Sequence, residues 1–407
     1  MSAEPFAPGE TRAWLEWIAR HMQREHQTVF LVENLQPSWL ASARQRAACA
    51  LIDAATLGVL TGVIFCIMWW VSALLDPPSQ PQRWIPLWLW VGVTAFWAML
   101  VGLIDNAQLP WLRTSDQRNK AATITPRVVR TIVMVLAWVA VWNLVRLAFN
   151  DSYAAVAGCG RGDLECPEST GNWLDIGHPL FSSAYLALIY GVKIRGDTTV
   201  KPIEALGWSW AAALRGLWLG ALAGLVVWMG YAAYWWNEPF AMTVRNILLY
   251  PPLGAVGGFV IGGLSVRVVR SKSVPNQGIW LSLRNALLGA SIFGPILALV
   301  AWPVLLIAIR PISGGDITAD APIAVVWLGV VALLVGFAWF GGREVIMHVS
   351  LRLVLAATRQ TPRDLVRFLD HCVELDFLRR VGGGYVFIHR YLLEYFGATG
   401  SAATDRR

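Results

Sequence analysis

Side chains able to do chemistry are few in this chain, and their spacing assembles no reactive set. The six histidines, at 21, 26, 178, 348, 371 and 389, show no metal-ligand spacing with cysteine or acidic partners. No G-x-x-x-x-G-K-[ST] phosphate loop, H-E-x-x-H, C-x-x-C or G-x-S-x-G occurs. Gly382-Gly383-Gly384 is flanked by β-type runs and reads as a hairpin turn, not a phosphate cradle. Of the 5 cysteines, Cys159 and Cys166 share one polar loop as C-x-x-x-x-x-x-C. On an oxidising face they could close a small disulfide loop, and two free thiols are the alternative. Cys49, Cys66 and Cys372 stand among apolar positions and read as packed thiols. Asn143 and Arg146, near the far end of an apolar run, are the only pair placed to line a polar path through a membrane. An interfacial anchor is the simpler role for Arg146. The expectation is a chain with no catalytic site, cofactor or metal.

What must position these residues is a set of long apolar spans. The stretch 210–234 holds one charge, Arg215, in 25 residues. As a helix it rises about 37 Å, enough for a hydrocarbon core of about 30 Å. Similar runs at about 54–75, 84–104, 131–149, 174–192, 248–266, 286–309 and 322–340 predict eight transmembrane helices. Composition agrees: apolar residues make up 56% of the chain and charged residues 14%, where soluble domains have about 45–50% and 25%. The net charge of +7 does not point to nucleic acid, because the basic residues sit in short loops beside the spans. Of the 33 lysines and arginines, 27 fall in segments assigned to one side and 4 in the loops assigned to the other. That asymmetry places both termini in the cytosol and the chain in the plasma membrane. The spans carry almost no ionisable group at mid-depth, which argues against ion-coupled transport.

The chain divides into a cytosolic helix-strand segment (1–46), a transmembrane bundle (47–341), a helical connector (342–358), a helix-hairpin-helix module (359–398) and a disordered tail (399–407). The fold class is therefore an all-α polytopic membrane protein with small cytosolic α+β segments at both ends. Gly220 and Gly224 on one span, and Gly254, Gly258 and Gly262 on the next, follow the G-x-x-x-G spacing that lets helix backbones approach closely. The two spans are expected to pack as a hairpin, with a homo-oligomer contact through the same glycines as the alternative. In the C-terminal module, Thr361 reads as a helix cap, Pro362 as the first helical residue and Asp364 as the other half of a capping box. Leu365, Phe368 and Leu369 then share one helix face, and strands at 378–381 and 385–388 bring in Tyr385 and Phe387 as the expected core. So small a unit must dock on something. Trp14, Leu15, Ile18 and Met22, at helical spacing near the N-terminus, are the nearest candidate.

The tail LRLVLAATRQTPRDLVRFLDHCVELDFLRRVGGGYVFIHRYLLEYF resembles the C-terminal end of bacterial multi-pass NACHT-type proteins of the STAND class of signalling NTPases. Those close on FLD-x-C/A followed by L-x-RVGG-x-Y-x-FIH-x-x-L-x-x-x-F. The resemblance extends to PIEALGWSWAAALRGLWLG at 202–220, PNQGIWLSLRNALLGA at 275–290 and WLEWIARHMQREHQTVFLVENLQPSWL at 14–40. In that family the phosphate- and Mg²⁺-binding motifs lie upstream of the region matched, so no nucleotide-binding residue carries over. The resemblance implies a membrane-embedded sensor, anchor or output module that hydrolyses no nucleotide itself and works with a separate NTPase or other protein at the cytosolic face. An independent channel or transporter is the alternative, with Asn143 and Arg146 on its path.

Overall fold

The computed structural model describes residues 6–75, 205–234, 240–267, 273–309, 329–330 and 332–404. The second, third and fourth spans read from the sequence, with Asn143, Arg146, Cys159 and Cys166, lie outside the described residues.

The described chain is mostly helical, and three of its helical runs are long and apolar enough to cross a membrane: Ala43–Ile64, Gln277–Val300 and Ala332–Ala357. The first belongs to α2 (Ala43–Leu75), which follows the N-terminal α1 (Pro8–Arg24) and two single 3-10 turns, Val32–Asn34 and Pro37–Trp39. The surfaces of these helices are apolar where a soluble protein's would be polar. Along α3 (Trp210–Tyr234), Leu214, Trp218, Leu222, Val226 and Met229 recur every three or four residues and are all more than half exposed. Val59, Val63 and Ile67 do the same on α2. A continuous apolar stripe of this kind is what a helix facing lipid presents.

Against that outer stripe, α3 turns a glycine face toward α4 (Phe240–Gly263). A β-carbon added at Gly220 would run into the Gly254 carbonyl, and one at Gly258 would meet the Gly216 carbonyl and stand 2.9 Å from Gly220 Cα. The backbones touch, which only residues without a side chain permit. Gly216, Gly220 and Gly224 thus meet Gly254, Gly258 and Gly262 within a single chain.

At one end of this hairpin is a feature that the hydropathy of 202–210 and 264–267 hides. Strands β1 (Ala205–Trp208) and β2 (Leu264–Arg267) pair antiparallel, Ala205 opposite Arg267 and Trp208 opposite Leu264. The sixth apolar run therefore ends as helix at Gly263 and continues as strand, where the sequence reading carried helix to Val266. Trp208 lies over Gly263 and edge-on to Phe259, closing the ribbon against the helix.

The long α5 (Gln277–Ile309) packs on α4 through Phe293 and Leu297, which share a small core with Leu253, Val260, Ala332 and Val335. The run beginning at Ala332 breaks at a π-type turn, Ala338–Gly342, and resumes as α6 (Arg343–Ala357). Gly341 holds φ 126°, a conformation that glycine adopts at little cost.

Beyond α6 come α7 (Leu365–Glu374), the hairpin β3 (Leu378–Val381) and β4 (Gly384–Phe387), and α8 (Arg390–Thr404). Here the start of the helix differs from the expected one. Asp364, not Thr361, is the N-cap: its Oδ1 accepts from Arg367 N–H at 3.1 Å, three residues on, while Thr361 is buried in the preceding turn. Position 361 loses the role because the chain after α6 reverses through Arg359 at φ 56° and spends two further residues reaching the new helix axis.

Candidate functional site

The described residues concentrate their polar contacts where the two chain ends meet the membrane-length helices. Leu365, Phe368, Leu369, Tyr385 and Phe387 lie in one core with Trp14, Leu15, Ile18 and Met22 of α1 and with Leu351, Val354 and Leu355 of α6. The ends are joined by more than apolar contact. Phe30 and Tyr385 exchange both backbone hydrogen bonds, at 2.7 and 2.9 Å, so the N-terminal segment lies alongside β4 as a third, one-residue strand. Trp14 Nε1 donates to the Arg359 carbonyl at 3.1 Å, and Gln23 Nε2 to the Leu393 carbonyl at 3.0 Å. Trp14 and Phe368 pack edge to face with ring centres 5.1 Å apart.

Inside this core the titratable groups are held in their neutral forms. His21 stacks on Trp39 with ring centres 4.9 Å apart, and its Nδ1–H donates to the Trp17 carbonyl at 2.7 Å. Burial lowers its pKa, because the charged ring loses water that its backbone hydrogen bonds with Trp17 and Trp39 do not replace, and Arg24 nearby opposes a second positive charge. Burial likewise pushes the Cys372 thiol up to about 12, so it is packing and not a nucleophile. Tyr385 donates its hydroxyl to Asp370 Oδ1 at 2.7 Å, and burial first, then this bond, raises its pKa.

The joint itself is built on Glu33. Its carboxylate is only 1% exposed, and Oε2 accepts from Gly278 N–H at 2.9 Å in the first turn of α5, 245 residues along the chain. The first N–H groups of a helix have no partner within it, and a buried carboxylate there gains both the hydrogen bond and the favourable end of the helix dipole. The same turn is held from behind, where Gln277 Oε1 accepts from the Ser273 and Val274 amides at 2.9 and 3.4 Å. One turn on, Ser282 donates its hydroxyl to the Gly278 carbonyl at 2.9 Å. A β-carbon at Gly341 would fall 2.6 Å from the Ser282 carbonyl, so the break before α6 lies directly on the α5 backbone. Phe340, wholly buried, sits against Gly289 of α5. Glu33, the start of α5 and the Gly341 break are consecutive contacts of one joint.

No protein family, curated protein or solved structure matches the chain.

Among the described residues, the contacts run without a break from the joined chain ends through the α5 start to the turn before α6. No three histidine, cysteine or acidic side chains there come together to hold a metal. Of the residues singled out from the sequence, the five of the module core and the helix-packing glycines are each brought to a shared contact. Glu33, Ser282 and Gly341 were not singled out. Glu33 left one signal, as the lone acid in the apolar run 29–35, VFLVENL. Gly341 and Ser282 left none, since a small residue in an apolar helix has many reasons to be there.

Proposed function

We propose that the chain is the membrane-embedded sensor, anchor or output module of a NACHT/STAND-like signalling system, with both termini in the cytosol and no NTPase activity of its own. The observation that carries this reading is the Glu33–Gly278 contact, which ties the fused chain ends to the first turn of a membrane-length helix. A partner that binds the module and shifts it by an ångström moves the end of α5, and a change in α5 is felt in the module. Packed interfaces respond in this all-or-none way because they cannot deform continuously. The likeness of the tail, the 275–290 region and residues 14–40 to the family's sequence supports the same assignment, since these segments build the joint.

Site-specific photo-crosslinking from Tyr391, 84% exposed on α8, tests the partner. Capture of a nucleotide-hydrolysing polypeptide, with no hydrolysis by the purified chain alone, is expected. Hydrolysis by the chain alone refutes the assignment, and so does steady ionic current through reconstituted bilayers, which belongs to a channel. Impermeant thiol labelling in intact cells tests orientation: Cys159 or Cys166 should react, once reduced, without breaking the membrane.

A further inference from the structure

His348 of α6 is a buried titratable side chain that the joint does not use. It is 2% exposed, and among the described residues neither Nδ1 nor Nε2 has a hydrogen-bond partner. A neutral imidazole carries one N–H donor and one lone pair, and the charged ring carries two donors. Buried histidines usually find a carbonyl or carboxylate, as His21 does at Trp17. His348 is held by packing.

Its surroundings decide what a proton would do there. α6 packs on α2, on α5 and on the Ala338–Gly342 turn, which has no ionisable side chain. α2 brings Arg44, Arg46, Cys49 and Asp53, and α5 brings Arg284. Those three arginines are exposed, Cys49 is packed in the module core, and Asp53, 1% exposed, has contacts of its own. On α6 itself Arg343 also has contacts of its own. Glu344 stands one turn before the ring, but its Oε2 is likewise without a partner, so the two do not bond. Arg352 stands one turn after the ring, near enough for its charge to act on it, while Asp364 acts on Arg352. A positive charge on His348 would meet that repulsion, with no acceptor for its second N–H and almost no water.

α6 is well placed to pass such a repulsion on. Its later turns carry Leu351, Val354 and Leu355 of the module core, with Cys49 of α2 in the same cluster, and it starts from the break that lies on the Ser282 carbonyl. Displacing α6 therefore parts the module from α2 and from the start of α5 together.

We propose that His348 is a proton-operated catch. The neutral ring lets α6 close on α2. A proton taken from water onto the ring is tolerated only where the ring meets solvent, so acid draws α6 off its seat and frees the module from the start of α5. The inference rests on the sensor reading above and names its signal, a rise in proton concentration at the cytosolic face.

The size of the effect follows from linkage. A solvated histidine titrates at about 6.5, so above that pH the open and closed states bind the same number of protons and closure is unopposed. Below it the open state alone gains a proton, and its population rises about tenfold between about pH 7.5 and about pH 5.5.

Hydrogen exchange on the full chain in non-ionic detergent tests this, read as protection factors so that the intrinsic effect of pH on exchange divides out. Over that range the α6 amides, 343–357, should lose about tenfold in protection. His348→Leu removes the proton site and the polarity, and His348→Gln removes the proton site and keeps the polarity. Each should hold the α6 protection within about twofold across the range, whatever its absolute level. Wild-type protection that is the same at both pH values, or that falls as far in both variants, overturns the proposal. So does a rise in acid that Glu344→Gln abolishes, since the charged ring would then be held in place by Glu344. Photo-crosslinking from Tyr391 separates this inference from the reading beneath it. Acid opening of α6 with no partner captured at any pH leaves the catch and removes the sensor, whereas a captured partner with α6 protection indifferent to pH removes the catch alone.

Discussion

Replacing Glu33 probes the joint where it is thinnest. Glu33→Gln keeps the shape and one acceptor oxygen but removes the charge, so the bond to Gly278 N–H weakens and the dipole interaction is lost. A charge-assisted bond exceeds a neutral one by about 1 kcal/mol, and a charge at a helix end typically adds about 0.3–1 kcal/mol, for about 1–2 kcal/mol together. The joint should then open about 5- to 30-fold more often, since 1.4 kcal/mol is a factor of ten. Glu33→Ala also leaves the amide unsatisfied and a void where a side chain 1% exposed had been, for a total of about 3 kcal/mol and more than 100-fold. Hydrogen exchange reads this directly, because local opening free energies appear as protection factors. The amides of 32–40 and 277–282 should lose protection in that order of severity, while those of α1 and α7, which do not touch Glu33's bond, stay within about twofold. If Glu33→Ala leaves the 277–282 amides as protected as wild type, the contact does not couple the two ends and the proposed role of the joint falls.

Other substitutions test the surrounding framework. Gly220→Ala places a methyl group against the Gly254 carbonyl, so the α3–α4 hairpin should splay and lose about 1–3 kcal/mol, read as a lower unfolding midpoint in detergent. Tyr385→Phe and Asp370→Asn should each destabilise the module by about 1–2 kcal/mol, and the double variant by clearly less than the sum, in denaturant titrations of the four-membered cycle. His21 is neutral in the fold with a pKa lowered from 6.5, so only the unfolded chain takes up its proton as pH falls below about 6.5. Its contribution is complete above that pH, drains as pH falls toward the depressed folded value, and is constant below it. His21→Phe should flatten this part of the stability–pH curve, whereas an unchanged slope would mean that His21 is protonated in place.

Whatever depends on neighbours along the chain was legible before any coordinates. Apolar run length decides which segments can cross a bilayer, because a helix gains 1.5 Å per residue wherever it lies. Helical periodicity announced the buried faces of α1 and α7, and the four-residue glycine spacing announced a close helix pair, because each is a property of one element's surface. The strands around Gly382–Gly384 were placed within one residue for the same reason. Contacts between distant segments carry no such mark. That Thr361 yields the cap to Asp364 depends on how the chain leaves α6, that 205–208 pairs with 264–267 depends on where the α3–α4 hairpin brings its ends, and that Glu33 finds Gly278 depends on the whole module being seated. A hydrogen bond needs its partners within about 3 Å, and that precision between residues 245 apart exists only once the N-terminal segment is seated against the start of α5.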